Sequence, residues 1–203
     1  MKFLINSCFI LLMSGSLLAQ DFKEGTHYYV VAEEASKEQK ITEFFSLFCS
    51  HCFQFEPLAK VLQEEFKSNV KFIKSHVDYM PRNNEEVSFG IVKAFVAMEA
   101  LGKQKELTET FFAAIHLAGA EINSEADIKK LFLQNGITSQ EFDEAYTSQK
   151  VIDKATQMRK EWERQGVTSV PTLIVNEKFK INVAALGGVE ELKGLINYLL
   201  LKK

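Results

Sequence analysis

The apolar residues of the chain change their spacing several times, and each change marks an element. Tyr28 to Ala32 is a short β-prone run, and Ile41 to Phe48 is a second that contains three phenylalanines. Both have the composition of buried strands. After Cys49 the spacing becomes helical, carried by Cys52, Phe53, Phe55, Ala59, Leu62 and Phe66. A strand is therefore expected to run straight into a helix, and Pro57, which removes an internal hydrogen bond, to kink that helix. Val70 to Val77 alternates polar and apolar residues and predicts a third strand.

From Glu85 to about Arg164 the pattern is helical throughout. Val87, Ile91, Phe95 and Met98 form one stripe that closes at Gly102, and Leu107, Phe111, Ala114, Ile115 and Leu117 form another that ends at Gly119. Ser124 with Asp127 is a capping-box signal ahead of Ile128, Leu131 and Phe132, and Gly136 is a C-terminal cap. Thr138 with Glu141 repeats the signal, and Phe142, Tyr146, Val151, Ala155, Met158 and Trp162 continue one stripe to Gly166. Four or five helices are expected, with their phenylalanines in the core. β character returns in Thr172 to Val175, a turn at Asn176-Glu177-Lys178, and Phe179 to Val183, which together predict a hairpin. Gly187-Gly188 then precedes a helix with Val189, Leu192, Leu195, Ile196 and Leu199 on one face. This order predicts an α/β thioredoxin-like fold, a mixed sheet flanked by helices, with an inserted all-helical domain. The expected division is residues 20–81 and 158–203 for the thioredoxin-like domain and 82–157 for the insertion.

Composition narrows the function. The chain has 203 residues, 46% of them apolar, with a formal charge of -3 and no basic stripe or arm, so nucleic acid is not an expected partner. Residues 1–19 resemble a secretory signal: Lys2 gives a positive start, Phe3 to Leu12 is nearly all apolar, and small residues follow up to Ala19. The apolar run is shorter than a spanning helix needs and is interrupted by Asn6 and Ser7. Export and cleavage are expected, and Cys8 leaves with the signal.

Cys49 and Cys52 then remain, in a chain bound for an oxidising compartment. A two-residue gap closes too small a loop to restrain the unfolded chain, so the pair is not expected to be a structural staple. A structural zinc site needs four ligands, and His27, His51, His76 and His116 are scattered without a second pair at ligand spacing. Redox chemistry is left. Cys49, at a helix start, faces unpaired backbone N–H groups and the positive end of the helix dipole, which depresses a thiol pKa. His51 adds a neighbouring imidazole, and Ser50 a hydroxyl able to donate a hydrogen bond. Cys52, one turn deeper, is expected to be the less exposed, resolving partner.

The segment Glu43-Phe-Phe-Ser-Leu-Phe-Cys49-Ser-His-Cys52-Phe-Gln-Phe-Glu56 resembles the active-site motif of the DsbA family of periplasmic thiol:disulfide oxidoreductases. Gly166-Val-x-x-Val170-Pro171, followed by a hairpin, is similar to that family's cis-proline loop, and the helical insertion falls at the matching place. The resemblance implies that Val170 and Pro171 bind an extended substrate segment beside Cys49. It also implies that Glu43 and Lys74 form a charged pair beneath the active site, with Glu56 in the same network. It implies exported proteins with reduced cysteines as clients and a membrane DsbB-type, quinone-linked reoxidant, and it implies no haem, flavin or metal. One departure stands out: the family's commonest dipeptide between the cysteines is Pro-His, where this chain has Ser50-His51.

The reading is a monomeric dithiol oxidase that donates the Cys49–Cys52 disulfide during oxidative folding. A reductase or isomerase using the same site is the nearest alternative, and no N-terminal dimerisation module is evident to support a dimeric isomerase. A chaperone-like client-binding module with a regulatory disulfide is an alternative of another class.

Overall fold

The computed structural model describes residues 21–202, so the expected signal lies outside the described residues. The chain forms β1 (Tyr28–Val30), β2 (Lys40–Phe45), α1 (Ser50–Phe66), β3 (Lys71–His76), α2 (Glu85–Ala100), α3 (Gln104–His116), α4 (Glu125–Gln134), α5 (Ser139–Tyr146), α6 (Gln149–Arg164), β4 (Thr172–Val175), β5 (Phe179–Ile181) and α7 (Val189–Leu201). The strands make one mixed sheet in the order β1-β5-β4-β2-β3. β2 pairs parallel with β3, and the remaining pairs are antiparallel. The parallel pair requires a crossover, which α1 supplies.

The alternation of β2 sorts its side chains between two layers. Ile41 points into a cluster with Leu62 and Phe66 of α1 and Leu192, Leu195, Ile196 and Leu199 of α7. Phe44 points to the opposite face, against Val77, Val167 and Ile174, with Trp162 of α6 packed on it. Phe45, Leu47, Cys49 and Cys52 belong to a third cluster with the apolar faces of α2 to α6. The cysteines thus sit where the sheet meets the inserted helices, in a core that both share. Full burial of Phe44 and Phe45 contributes roughly 2 kcal/mol each on transfer scales, which holds the strand end in place.

Three boundaries differ from the sequence expectation. β2 stops at Phe45, and the apolar run to Phe48 continues as a turn, because the Cys49 N–H donates to the Ser46 carbonyl at 3.0 Å. The single stripe expected from Thr138 to Gly166 is two helices, divided at Thr147 and Ser148. Ser148 caps α6 by accepting the Val151 N–H. β5 ends at Ile181 instead of Val183, and Val183–Ala185 forms a 3-10 turn. The full capping box is present at Thr138 and Glu141, whereas Asp127 returns its carboxylate to the N–H of Asn123 and the hydroxyl of Ser124.

Candidate active site

Ser46 to Cys49 deliver the chain from β2 to α1. Besides the closing bond to Ser46 O, the Ser46 hydroxyl accepts the Phe48 N–H at 3.2 Å. The Leu47 N–H goes to Nε2 of buried His76 at 2.9 Å. Cys49 then occupies the N-cap of α1 in an extended conformation, φ -90° and ψ 114°, and its Sγ accepts the Cys52 N–H at 3.1 Å. Sulfur stands where a capping oxygen usually does, so the unpaired donors of the first helical turn act directly on the reactive atom.

Both thiols are free, and their environments push them apart. The Cys52 thiol hydrogen bond lowers the Cys49 pKa most. Burial opposes it, and the backbone N–H groups of Cys52 and His51 and the His51 charge lower it further, from the ordinary 9.0 to about 6. Cys52 is fully buried, and burial followed by the neighbouring Cys49 pushes its pKa far up. One sulfur is therefore poised as a thiolate near neutrality and the other as a thiol.

Across the fold, the Val170 carbonyl lies 3.4 Å from Cys49 Sγ, and the Val170–Pro171 peptide bond is cis. The loop before β4 thus reaches the reactive sulfur through its backbone. His51 is exposed beside it. The Ser50 expectation needs correction. The side chain is exposed at the first helical position, and the bonds of the Cys49 sulfur run to Val170 and Cys52, not to the Ser50 hydroxyl.

Beneath the cysteines, the β2–β3 register sets Glu43 beside Lys74. Glu43 is completely buried, and burial raises its pKa from 4.5 to about 7 against the opposing pull of Lys74. Lys74 Nζ lies 3.2 Å from Glu43 Oε2 but off hydrogen-bond alignment, so neither carboxylate oxygen accepts a hydrogen bond among the described residues. Lys74 also pairs with Glu56 of α1, and both line a cleft with Lys60, Gln104 and Glu109. Sequence-predicted Glu43, Lys74 and Glu56 are thus one chain of charges from the core to a solvent-facing cleft.

A DSBA-like thioredoxin domain model matches residues 40–199. The thiol:disulfide interchange protein DsbA of Haemophilus influenzae is 31% identical over 195 residues, covering 91% of this chain and 92% of that protein. The chain belongs to the DsbA family. It is a thiol:disulfide oxidoreductase with the thioredoxin-like DsbA fold. Among solved structures, DsbA from Pseudomonas aeruginosa superposes with a TM-score of 0.76 at 22% identity, covering 90% of this chain and 94% of that one. A Proteus mirabilis DsbA, described with a non-covalently bound peptide, gives 0.76 at 25% identity over 90% of this chain and 100% of that one.

In this DsbA-family chain, sequence reasoning missed the residues that hold the site from outside. Asp78, at the end of β3, accepts Trp162 Nε1–H at 2.8 Å and pairs with Arg159, so it ties α6 to the sheet. His116 of α3 bonds the Leu47 carbonyl at 2.9 Å. The alternation of β3 does carry a signal for His76, which lies on the face of Lys74 one pair further along. No local pattern points to the other two.

Proposed function

We propose that the protein is an oxidant of thiols, with Cys49 as the sulfur attacked by substrate and Cys52 as the leaving and resolving sulfur. A substrate thiolate bonds to Cys49, the Cys49–Cys52 bond breaks, and Cys52 departs with the electron pair. Its high pKa makes it take up a proton, and buried Glu43, with its pKa raised to about 7, is assigned as the donor. The substrate's second thiolate then attacks the mixed disulfide, and Cys49 leaves as a thiolate. The substrate has lost two electrons and the enzyme disulfide has gained them.

The observation that carries this reading is the sulfur N-cap: a thiolate held by the Cys52 N–H, with pKa about 6, is a good leaving group and stabilises the reduced enzyme. A stabilised reduced state makes the disulfide a stronger oxidant. The Val170 carbonyl and cis Pro171 beside Cys49 suit an extended client segment that pairs through its backbone. His51 supports the thiolate by its charge, while Ser50 contributes only its place in the first turn.

The remaining proposals rest on this one. The clients are exported proteins with reduced cysteines, the location is the periplasm after loss of residues 1–19, and the working form is a monomer. A membrane DsbB-type protein passing electrons to quinone regenerates the disulfide. The division at residues 82–157 is kept for the helical insertion, with α6 crossing its C-terminal boundary onto β3. Cys52→Ser tests the chemistry: offered a client that carries a disulfide, its Cys49 thiolate attacks one client sulfur, the other leaves as a thiolate, and the mixed disulfide accumulates because no second enzyme thiol releases it, whereas Cys49→Ser should form none. Adducts that accumulate on Cys52 in the Cys49→Ser protein would overturn the assignment.

A further inference from the structure

Leu47 and Phe48 are the two central residues of the turn that Cys49 N–H closes onto Ser46 O. The peptide between them is the one that most easily rotates in such a turn, since turn types differ chiefly in which way it faces. Here it is held at both ends. Its N–H, on Phe48, goes to the Ser46 hydroxyl at 3.2 Å, and its carbonyl, on Leu47, receives His116 Nε2 at 2.9 Å. The preceding peptide is held by His76, whose Nε2 takes the Leu47 N–H while Nδ1 meets the Val77 carbonyl at 2.7 Å. A carbonyl only accepts, so His116 must carry its proton on Nε2, and His76 must carry its own on Nδ1.

His116 lies in the last turn of α3, within the inserted helices. Its ring stacks on Phe53 at 5.3 Å and 11° and meets Phe112 of its own helix at 5.9 Å. Phe53 follows Cys52 in the first turn of α1. One side chain therefore touches the turn before Cys49 and the helix after it, from a separate layer of the fold.

We propose that His116 is a positioning residue for the redox site: by fixing the Leu47–Phe48 peptide and packing on Phe53, it keeps the Cys49 sulfur aligned with the Cys52 N–H. Without that donor the carbonyl of buried Leu47 loses its partner, and the turn relaxes around the pivot that sets the N-cap. A phenylalanine at position 48 resists the positive φ of a fully inverted turn, so the result is loosening and not a flip. The thiolate depends on this alignment because it is charged, whereas the neutral disulfide does not. His116 thus acts on the reduced state selectively, and it lets the inserted helices set the oxidising strength of the cysteine pair.

The proposal rests on Cys49 being the low-pKa sulfur. It is tested with His116→Leu, which keeps an apolar filling between Phe53 and Phe112 but has no donor, and His116→Gln, which restores an N–H. Thiolate absorbance is titrated and the equilibrium with glutathione is measured for each. The scale of one hydrogen bond predicts that the leucine variant loses Cys49 acidity and oxidising strength by about three- to tenfold, with most of it recovered by glutamine. The proposal is overturned if leucine and glutamine shift equally, which assigns the effect to packing, or if both titrate as wild type while only melting temperature falls. A wild-type thiol that titrates near its ordinary value defeats the parent reading instead, so the two failures are distinguishable.

Discussion

Glu43 is the most exacting group in this fold, because it is a fully buried carboxylate with a cation nearby and no hydrogen bond to either oxygen among the described residues. Glu43→Gln keeps its shape and removes its ability to ionise. The rise in pKa from 4.5 to about 7 means that ionised Glu43 costs the folded state on the order of 3 kcal/mol at neutral pH. The sign follows from linkage: folding binds a proton that the unfolded chain releases above its ordinary pKa, so stability is lost as pH rises from about 4.5 and levels off above about 7. Lys74 keeps Glu56 as a partner in the variant, which limits the penalty of removing the charge. The assay is urea unfolding across that range in a Cys49→Ser, Cys52→Ser background, where no thiol titrates. The glutamine protein should gain on the parent steadily with pH and hold a constant lead above neutrality. A difference that does not change with pH, or a parent that becomes relatively more stable in base, would refute the account of Glu43.

Two other sites give independent checks. Gly90 of α2 lies where a Cβ would come within 2.9 Å of the Tyr146 hydroxyl and 3.2 Å of Ile128 Cδ1. Gly90→Ala should therefore lower stability by about 1–3 kcal/mol through forced displacement of α4 or α5, read as a lower urea midpoint with unchanged slope. Asp78→Ala leaves the Trp162 N–H and Arg159 without their shared acceptor. It should cost about 2–4 kcal/mol, and Asp78→Asn, which keeps an acceptor for the indole, should cost less.

Much of this arrangement could be read from spacing alone, and the exceptions have physical causes. The redox pair, the strand before it and the helix after it were legible because each has a local period. The pairing of Glu43 with Lys74 came from the family resemblance and not from spacing, since Lys74 lies in an alternating strand but Ile41 to Phe48 reads as an apolar run. The end of β2 was not legible, since Phe44 to Phe48 is apolar apart from Ser46, and it is bonds from Ser46 and His76 that turn the backbone. Ser148 interrupts a stripe that side-chain spacing alone reads as continuous. Ser50 carries a plausible donor in the right place in sequence, yet the helix start points it to solvent. Val170, which acts through a carbonyl, is reached only through the motif resemblance around Pro171, and Asp78 and His116 act through distant partners that leave no local mark on a single sequence.

The account's central claim is that the N-capping sulfur of Cys49 is a stabilised thiolate that makes the pair oxidising. The most direct measurement is the thiolate titration of the reduced protein together with its unfolding free energy, reduced against oxidised, as a function of pH. A depressed pKa adds stability to the reduced form fully above the ordinary 9.0, and this is lost as pH falls through about 6. The account predicts a single thiol titrating near 6, with the reduced form gaining on the oxidised form as pH rises through that value. A Cys49 that titrates close to 9.0, with no such gain, would contradict it.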